Sequence, residues 1–151
     1  MRRIALLTSC LIIALTPTCA LALNPVPAPM DQKISDLESR AEKSQPEQQC
    51  YLFAELVSQM GDIVDQQLAA GEPEKAAATL AKMEGYAARI HQGLGPHNKK
   101  MKETEILIRH SAQRMDSMFH QAALEQQDVL HKTLLKLNSL QSELMLSVFQ
   151  H

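Results

Sequence analysis

Apolar residues recur every three or four positions along most of the chain from residue 31 onward. This spacing places them on one face of an α-helix, whereas a half-buried strand would alternate apolar and polar residues. Four long stripes of this kind follow one another and no stretch alternates, so the sequence predicts an all-α protein. The first stripe consists of Phe53, Leu56, Val57, Met60, Ile63, Val64 and Leu68, and the second of Ala76, Leu80, Met83, Ala87 and Ile90. The third consists of Met101, Leu107, Ile108, Ala112, Met115, Phe119 and Ala122, and the fourth of Leu130, Leu134, Leu137, Leu140, Leu144 and Val148.

Glycine and proline residues mark most boundaries between the predicted helices. Residues 70–73, Ala-Gly-Glu-Pro, separate the first two, because glycine can end a helix in the left-handed conformation and proline suits a first turn. Residues 93–96, Gly-Leu-Gly-Pro, separate the second from the third, with Asn98 as the expected cap. Residues 123–127 contain neither glycine nor proline, and only a polar break in the stripe predicts a boundary between the last two helices. Residues 44–47, Ser-Gln-Pro-Glu, fit a capping box at the start of the first long helix.

A short lead-in helix is predicted before the four long ones, beginning near Asp31 and carrying Ile34, Leu37 and Ala41 on one face. Long amphipathic helices with short loops imply that neighbours run antiparallel. We therefore expect an up-and-down antiparallel helical bundle of four long helices with a short N-terminal lead-in helix. Residues 71–76, Gly-Glu-Pro-Glu-Lys-Ala, resemble the turn and second-helix start of one tetratricopeptide hairpin. No 34-residue period recurs, so the bundle is the favoured architecture.

Residues 1–22 have the features of a cleavable signal peptide. A pair of arginines supplies a positive start, residues 4–15 form a mostly apolar run, and residues 20–22, Ala-Leu-Ala, give the small side chains that signal peptidase requires. The apolar run is shorter than the roughly 20 residues that a membrane-spanning helix needs. A proline-rich stretch then predicts an extended linker over residues 23–30. We expect an exported protein, periplasmic or secreted, in which residues 31–151 form one domain and no transmembrane helix remains after cleavage.

Removal of the signal changes the charge and the cysteine content. The chain has 151 residues and a formal net charge of −2, and the part after the signal keeps 13 of 15 basic and all 17 acidic residues, which gives 13 − 17 = −4. A negative domain argues against nucleic acid as a partner, because phosphate binding requires a basic face. Two of the three cysteines leave with the signal, so Cys50 is alone, which excludes a disulfide framework and a multi-cysteine metal site. With 3% aromatic residues and no tryptophan, the core must be aliphatic and rich in methionine.

Histidine and methionine residues are the candidates for metal ligands. His97 and Met101 are four residues apart and would share a helix face, as would Asp116 and His120. Di-iron bundles need Glu-x-x-His motifs and a covalent haem needs Cys-x-x-Cys-His, and the sequence has neither. The spacing of Met and His residues does not exclude a b-type haem inside the bundle, although a core with few aromatic residues makes it unattractive. We therefore expect no cofactor, with surface histidines and core methionines as the ordinary explanation.

Cys50 belongs to the same stripe as Phe53 and Val57, so a buried, unreactive thiol is the first expectation. An unpaired cysteine in an oxidising compartment also leaves an intermolecular disulfide open. No neighbouring group that would activate the thiol as a nucleophile can be named from the sequence.

Three lysines crowd the expected start of the third long helix, at Lys99, Lys100 and Lys102. The helix dipole disfavours positive charge there. The cluster fits either a patch that binds anions or an acidic partner, or a solvated face that nearby glutamates screen.

No Ser-His-Asp order, phosphate-binding glycine loop or pair of inward acids indicates catalysis, so we expect no enzyme. The leading hypothesis is a non-enzymatic protein-interaction or structural module in the periplasm that binds another protein or itself. Four methionines would suit an adaptable apolar surface where they point outward: Met101, Met115, Met118 and Met145. The alternative is a carrier that binds a small ligand or metal through His or Met in or on the bundle. In size, export and helicity the chain resembles small periplasmic helical chaperones and metal-stress proteins, although the Leu-Thr-x-x-Gln motif of one such family is absent.

Overall fold

The computed structural model describes residues 29–149, which are helical almost throughout and contain no strand. The helices are α1 Pro29–Lys43, α2 Pro46–Ala69, α3 Pro73–Gly93, α4 Met101–Gln121 and α5 Leu124–Phe149. The predicted all-α class is confirmed for this part of the chain, and its helices pack together as a bundle. The predicted signal peptide and most of the proline-rich linker lie outside the described residues. The last two linker residues belong to α1, which begins two residues before Asp31.

The apolar stripes form one core, as the sequence predicts. Of their 25 residues 18 are buried and six more pack partly buried against the core, and the lead-in residues Ile34, Leu37 and Ala41 join them from α1. Among the described residues Phe53 contributes the only buried aromatic ring, and Met60, Met83, Met115 and Met118 fill space between leucines. Each large side chain that is fully buried contributes roughly 1.5–3 kcal/mol. The bundle therefore depends on many aliphatic contacts and little on aromatic packing.

Two helical hairpins, α2 with α3 and α4 with α5, make up most of the bundle. In the first, the Thr79 hydroxyl donates to Gln67 Oε1 at 2.9 Å near the turn, and Cys50 Sγ lies 3.7 Å from the Ile90 carbonyl oxygen at the open end. In the second, only residues 122–123 separate α4 from α5, and the two helices pack along each other. Helix α1 lies against α2, and its Glu38 and Glu42 accept hydrogen bonds from Tyr86 and Arg89 of α3.

Between the hairpins, neighbouring helices run parallel. Helix α2 packs on α4 and α3 packs on α5. Along the first pair, Glu47 contacts Lys99, just before α4, and Asp62 contacts Arg114. Along the second, Glu84 contacts Lys136 and His91 contacts Glu143. Each of these four contacts joins residues 52 apart in sequence. If the two helices ran antiparallel, the difference in residue number between contacting residues would change by two for each residue along the helix. These contacts depart from a bundle in which every neighbouring pair is antiparallel, and the antiparallel topology of the bundle as a whole stays a prediction.

The connector between the hairpins, residues 94–100, explains this departure. Helices α3 and α4 make no direct packing contact and lie on a diagonal of the bundle. A seven-residue segment reaches up to about 23–25 Å when extended, which is enough to cross a diagonal, whereas the short turn 122–123 can join only adjacent helices. The sequence prediction treated every loop as short. The length of this one allows α4 to lie beside α2.

Helix ends differ from the predicted caps. The Ser44 hydroxyl donates to the Ala41 carbonyl at 2.9 Å, and α2 begins after Gln45 with no side-chain cap, so the predicted capping box is wrong. Asn98 does not cap α4 either, because its side-chain amide donates to the Gly93 carbonyl at 2.8 Å and satisfies the end of α3. Lys100 occupies the cap position of α4 in the left-handed region, with φ of 61°. Each of these residues connects two elements of the fold.

A buried carboxylate links α3 to α5. Glu84 accepts hydrogen bonds from the Thr133 hydroxyl at 3.0 Å and from the Lys136 ammonium, and Lys132 Nζ lies 3.2 Å away. Burial acts to raise the pKa of the Glu84 carboxyl, but the hydrogen bonds from these three side chains lower it by more, so its pKa lies below the usual value. The folded structure therefore stabilises the charged form of the Glu84 carboxylate.

Substitution Glu84→Gln is expected to flatten the acid side of the stability profile. A carboxyl whose pKa is lower in the folded than in the unfolded chain stabilises the fold. This stabilisation is complete above the pKa of the unfolded chain, near 4.3, and is lost as the pH falls through the pKa of the folded chain. Urea unfolding between pH 6 and 3 should show a shallower fall in the free energy of unfolding for Glu84→Gln than for the wild type. Glu74→Gln, which removes an exposed carboxylate of the same helix, is the matched control. Equal slopes for Glu84→Gln and the wild type would contradict this account.

Candidate functional site

The predicted metal ligands do not form a cluster. His97 lies in a turn of the connector, before α4 begins, so it does not share a helix face with Met101. Asp116 and His120 do meet on α4, with 3.6 Å between Oδ1 and Nε2, and both side chains are more than half exposed. Within residues 29–149 no three His, Cys, Asp or Glu side chains are placed to hold a metal ion. The chemistry of a metal carrier thus has no assembled ligand set in this part of the chain.

Cys50 is enclosed where α2, the end of α3 and the connector meet. Its side chain is 1% exposed, and its sulfur accepts a hydrogen bond from the Asn98 amide at 3.2 Å. Burial raises the pKa of the thiol, although the bond from Asn98 opposes the shift. A high pKa disfavours the nucleophilic thiolate. The intermolecular disulfide stays a prediction, and it requires the connector to open and expose the sulfur.

The methionine surface expected from the sequence reduces to one residue. Met115 and Met118 are buried, and Met101 packs partly buried against the core. Met145 is exposed and lies on α5. The outward apolar surface of this protein is therefore made mainly of other residue types.

Every large apolar side chain that is exposed within residues 29–149 lies on α5. They are Leu124, Val129, Leu135, Met145, Leu146 and Phe149. Leu135 is 55% exposed, Leu146 63% and Phe149 80%, although the opposite side of the same helix is buried in the core. We call the line through Leu124, Leu135, Leu146 and Phe149 the outer face of α5. A helix that is apolar on two sides has one side without a partner in the monomer.

Sequence reasoning missed the outer face of α5, although a signal for it is present. Leu124, Leu135 and Leu146 recur every 11 residues, and none of them belongs to the core stripe of Leu130, Leu137 and Leu144. Eleven residues make three helical turns plus about 20°, so the three leucines fall on nearly one line. Assigning a single apolar stripe to each helix hides a second line of this kind.

No helix among the described residues is long and apolar enough to cross a lipid bilayer. Comparison of the chain with protein-family models, with curated proteins and with solved structures gives no match.

Alanine substitutions at two glycines of α3 test the packing around Cys50. A β-carbon at Gly93 would lie 3.0 Å from the Cys50 sulfur, whereas one at Gly85 would meet nothing within 4 Å. Glycine inside a helix costs roughly 0.5–1 kcal/mol relative to alanine, so Gly85→Ala should stabilise the protein by about that amount. With Cys50 present, Gly93→Ala should stabilise the protein less than Gly85→Ala does, or should destabilise it. In a Cys50→Ala chain, which lacks the sulfur, the effect of Gly93→Ala on stability should be more favourable.

Thermal unfolding of the single and double variants measures this coupling. A Gly93→Ala effect that is the same with and without the sulfur would contradict the enclosed position of Cys50.

Proposed function

We propose that this chain is a non-enzymatic protein-interaction module that associates through the outer face of α5, and that its partner is a second copy of the same chain. Among the residues that the structure describes, the large exposed apolar side chains are confined to this one helix, and this confinement carries the proposal. We place the activity outside the cytoplasm, because the sequence begins with the features of a cleavable signal peptide.

The spacing on the outer face is self-complementary. Leu124 and Leu146 lie 11 residues to either side of Leu135, which is about 16 Å along the helix in each direction. If two copies of α5 pack antiparallel about a two-fold axis beside Leu135, then Leu135 meets its own copy and Leu124 meets Leu146. Isologous dimers require this kind of self-complementary surface.

Polar residues between the leucines favour the same register. In this arrangement Asp128 faces Ser142, whose hydroxyl is able to donate to the carboxylate. In a parallel pairing Asp128 would face its own copy, and like charges in contact are unfavourable. The antiparallel register therefore places leucine against leucine without opposing like charges.

A few apolar side chains predict a transient dimer. Obligate homodimers bury about 2,000–5,000 Å² and are largely hydrophobic, whereas the outer face of α5 alternates leucines with polar residues. Monomer and dimer should therefore exchange in solution, at a ratio that depends on concentration.

Cysteine crosslinking tests both the interface and its register. In a chain whose native cysteines are replaced by alanine, Leu135→Cys should form a disulfide dimer on mild oxidation. A mixture of Leu124→Cys and Leu146→Cys chains should form a mixed dimer, although neither variant forms one alone. Gln66→Cys, an exposed position on α2, is the control that reports random collision. Dimers of Gln66→Cys at the same rate as dimers of Leu135→Cys would contradict the interface.

Substitution Leu135→Asp is expected to abolish the dimer and keep the monomer folded. It places two carboxylates against each other at the two-fold axis, and the side chain it replaces is exposed in the monomer. Sedimentation equilibrium measures the association, and circular dichroism measures the helix content. A wild-type chain that stays monomeric at all concentrations would contradict self-association. If the wild type stays monomeric and the cysteine variants do not crosslink, the partner of the outer face is a different protein.

A further inference from the structure

A groove lies where α1, the start of α2 and the connector meet, on residues separate from the outer face of α5. Its volume is about 670 Å³, within the range of about 300–1,000 Å³ that is usual for small-molecule sites. We call it the basic groove, and its lining includes Arg40, Lys43, Tyr51, Leu52, Lys99 and Lys100.

Positive charge is concentrated at the basic groove, although the chain as a whole is negative. Four of the lining residues are cationic and one, Glu55, is acidic, which gives 4 − 1 = +3, against −2 for the whole chain. Lys99 pairs with Glu47 at 2.8 Å. Within the described residues Arg40, Lys43 and Lys100 have no carboxylate within ion-pair distance. Their charge is therefore available to a ligand.

Helix dipoles account for part of this cluster and leave Lys100 unexplained. Arg40 and Lys43 lie in the last turn of α1, where cations stabilise the carbonyl end of a helix. Lys100 directly precedes α4, where the dipole disfavours a cation. It also adopts a left-handed backbone, which costs about 1–2 kcal/mol for a residue other than glycine. Two unfavourable features at one residue indicate that its position serves something other than stability.

The Tyr51 ring holds the Lys100 ammonium at the groove. Lys100 Nζ lies 4.1 Å from the ring centroid, and the Tyr51 hydroxyl donates to Glu55 at 2.9 Å, which fixes the ring. A cation–π contact of this kind positions the ammonium without neutralising it. The Tyr51 ring and Leu52 give the groove apolar surface beside the cations. The site thus combines at least three free positive charges with an apolar wall.

We propose that the basic groove binds a small organic anion that carries two or more carboxylate or phosphate groups on an apolar body. Separate cations on α1 and the connector match a ligand with more than one anionic group. The net negative charge of the chain disfavours a long polyanion, whose remaining charges would face a repulsive surface. No residue of α5 lines the basic groove, so anion binding and dimerisation are tested independently.

Isothermal titration calorimetry at low ionic strength tests this proposal, with benzene-1,3,5-tricarboxylate as the probe and the full exported protein. We expect one probe bound per chain, weaker binding as salt is added, and weaker binding of pyrophosphate, which has no apolar body. Lys100→Gln and Arg40→Gln should each raise the dissociation constant by about tenfold or more, since each removes a charge-assisted contact. Lys102→Gln is the matched control, because Lys102 is the neighbouring lysine that does not line the groove.

Three results would overturn the proposal. They are no heat of binding at millimolar probe, a loss with Lys102→Gln as large as with Lys100→Gln, or tighter binding of polyglutamate than of the tricarboxylate. If pyrophosphate binds as tightly as the tricarboxylate, the apolar wall of the groove does not contribute to binding, and the proposed requirement for an apolar body is wrong. Thermal unfolding of the variants, which substitute exposed residues, checks that each remains folded.

Discussion

The connector docks onto the start of α2, and this docking fixes where α4 begins. The backbone N–H of Lys99 donates to the Glu47 carbonyl at 2.8 Å, and the side chains of the same two residues form an ion pair. On the other side, Asn98 bonds to the end of α3 and to the sulfur of Cys50. These contacts place the first residue of α4 beside the first turn of α2. The parallel course of α2 with α4, and of α3 with α5, follows from that starting point.

Both proposed sites depend on this arrangement. The connector brings Lys99 and Lys100 to the end of α1, so that cations distant in sequence line one groove. Because α4 lies beside α2, its hairpin partner α5 lies beside α3, and among the described helices it has core contacts with α3 and α4 only. Within residues 29–149 the other side of α5 has no partner, and its leucines are exposed. One loop therefore determines the rim of the basic groove and the exposure of the outer face.

Local patterns in the sequence were enough to predict the helices and the residues that fill the core. Burial of Leu130, Leu137 and Leu144 follows directly from their spacing. The spatial order of the helices could not be predicted in the same way, because it depends on which carbonyls the connector reaches. Asn98 shows the difficulty, since its place before a helix suggests an N-cap, yet its amide bonds to the preceding helix. Ser44 and Glu47 likewise fit a capping box by spacing, but the Ser44 hydroxyl bonds back to the Ala41 carbonyl of α1 and the Glu47 carboxylate pairs with Lys99 of the connector.

Of the candidate site residues, the sequence predicted the burial of Cys50 and drew attention to Lys99 and Lys100. It could not show that Arg40 and Lys43, more than 50 residues earlier, lie beside those lysines. Pairs proposed from helical spacing had mixed outcomes for one reason, which is where the helix begins. Asp116 and His120 lie within α4 and meet, whereas His97 lies outside it. A shift of a few residues in a helix boundary thus decides whether a proposed pair exists.

Distances between spin labels on α2 and α4 would show whether the two helices run parallel. Labels would be attached to cysteines introduced at exposed positions of a Cys50→Ala chain, diluted with unlabelled protein: Gln66 with Gln121 in one sample, and Gln66 with Lys102 in another. With a separation of 52 residues, Gln66 lies level with residue 118. Gln121 is then about 5 Å away along the axis and Lys102 about 24 Å. Parallel helices give the shorter distance for the pair with Gln121, whereas a shorter distance for the pair with Lys102 would mean that α4 runs antiparallel to α2.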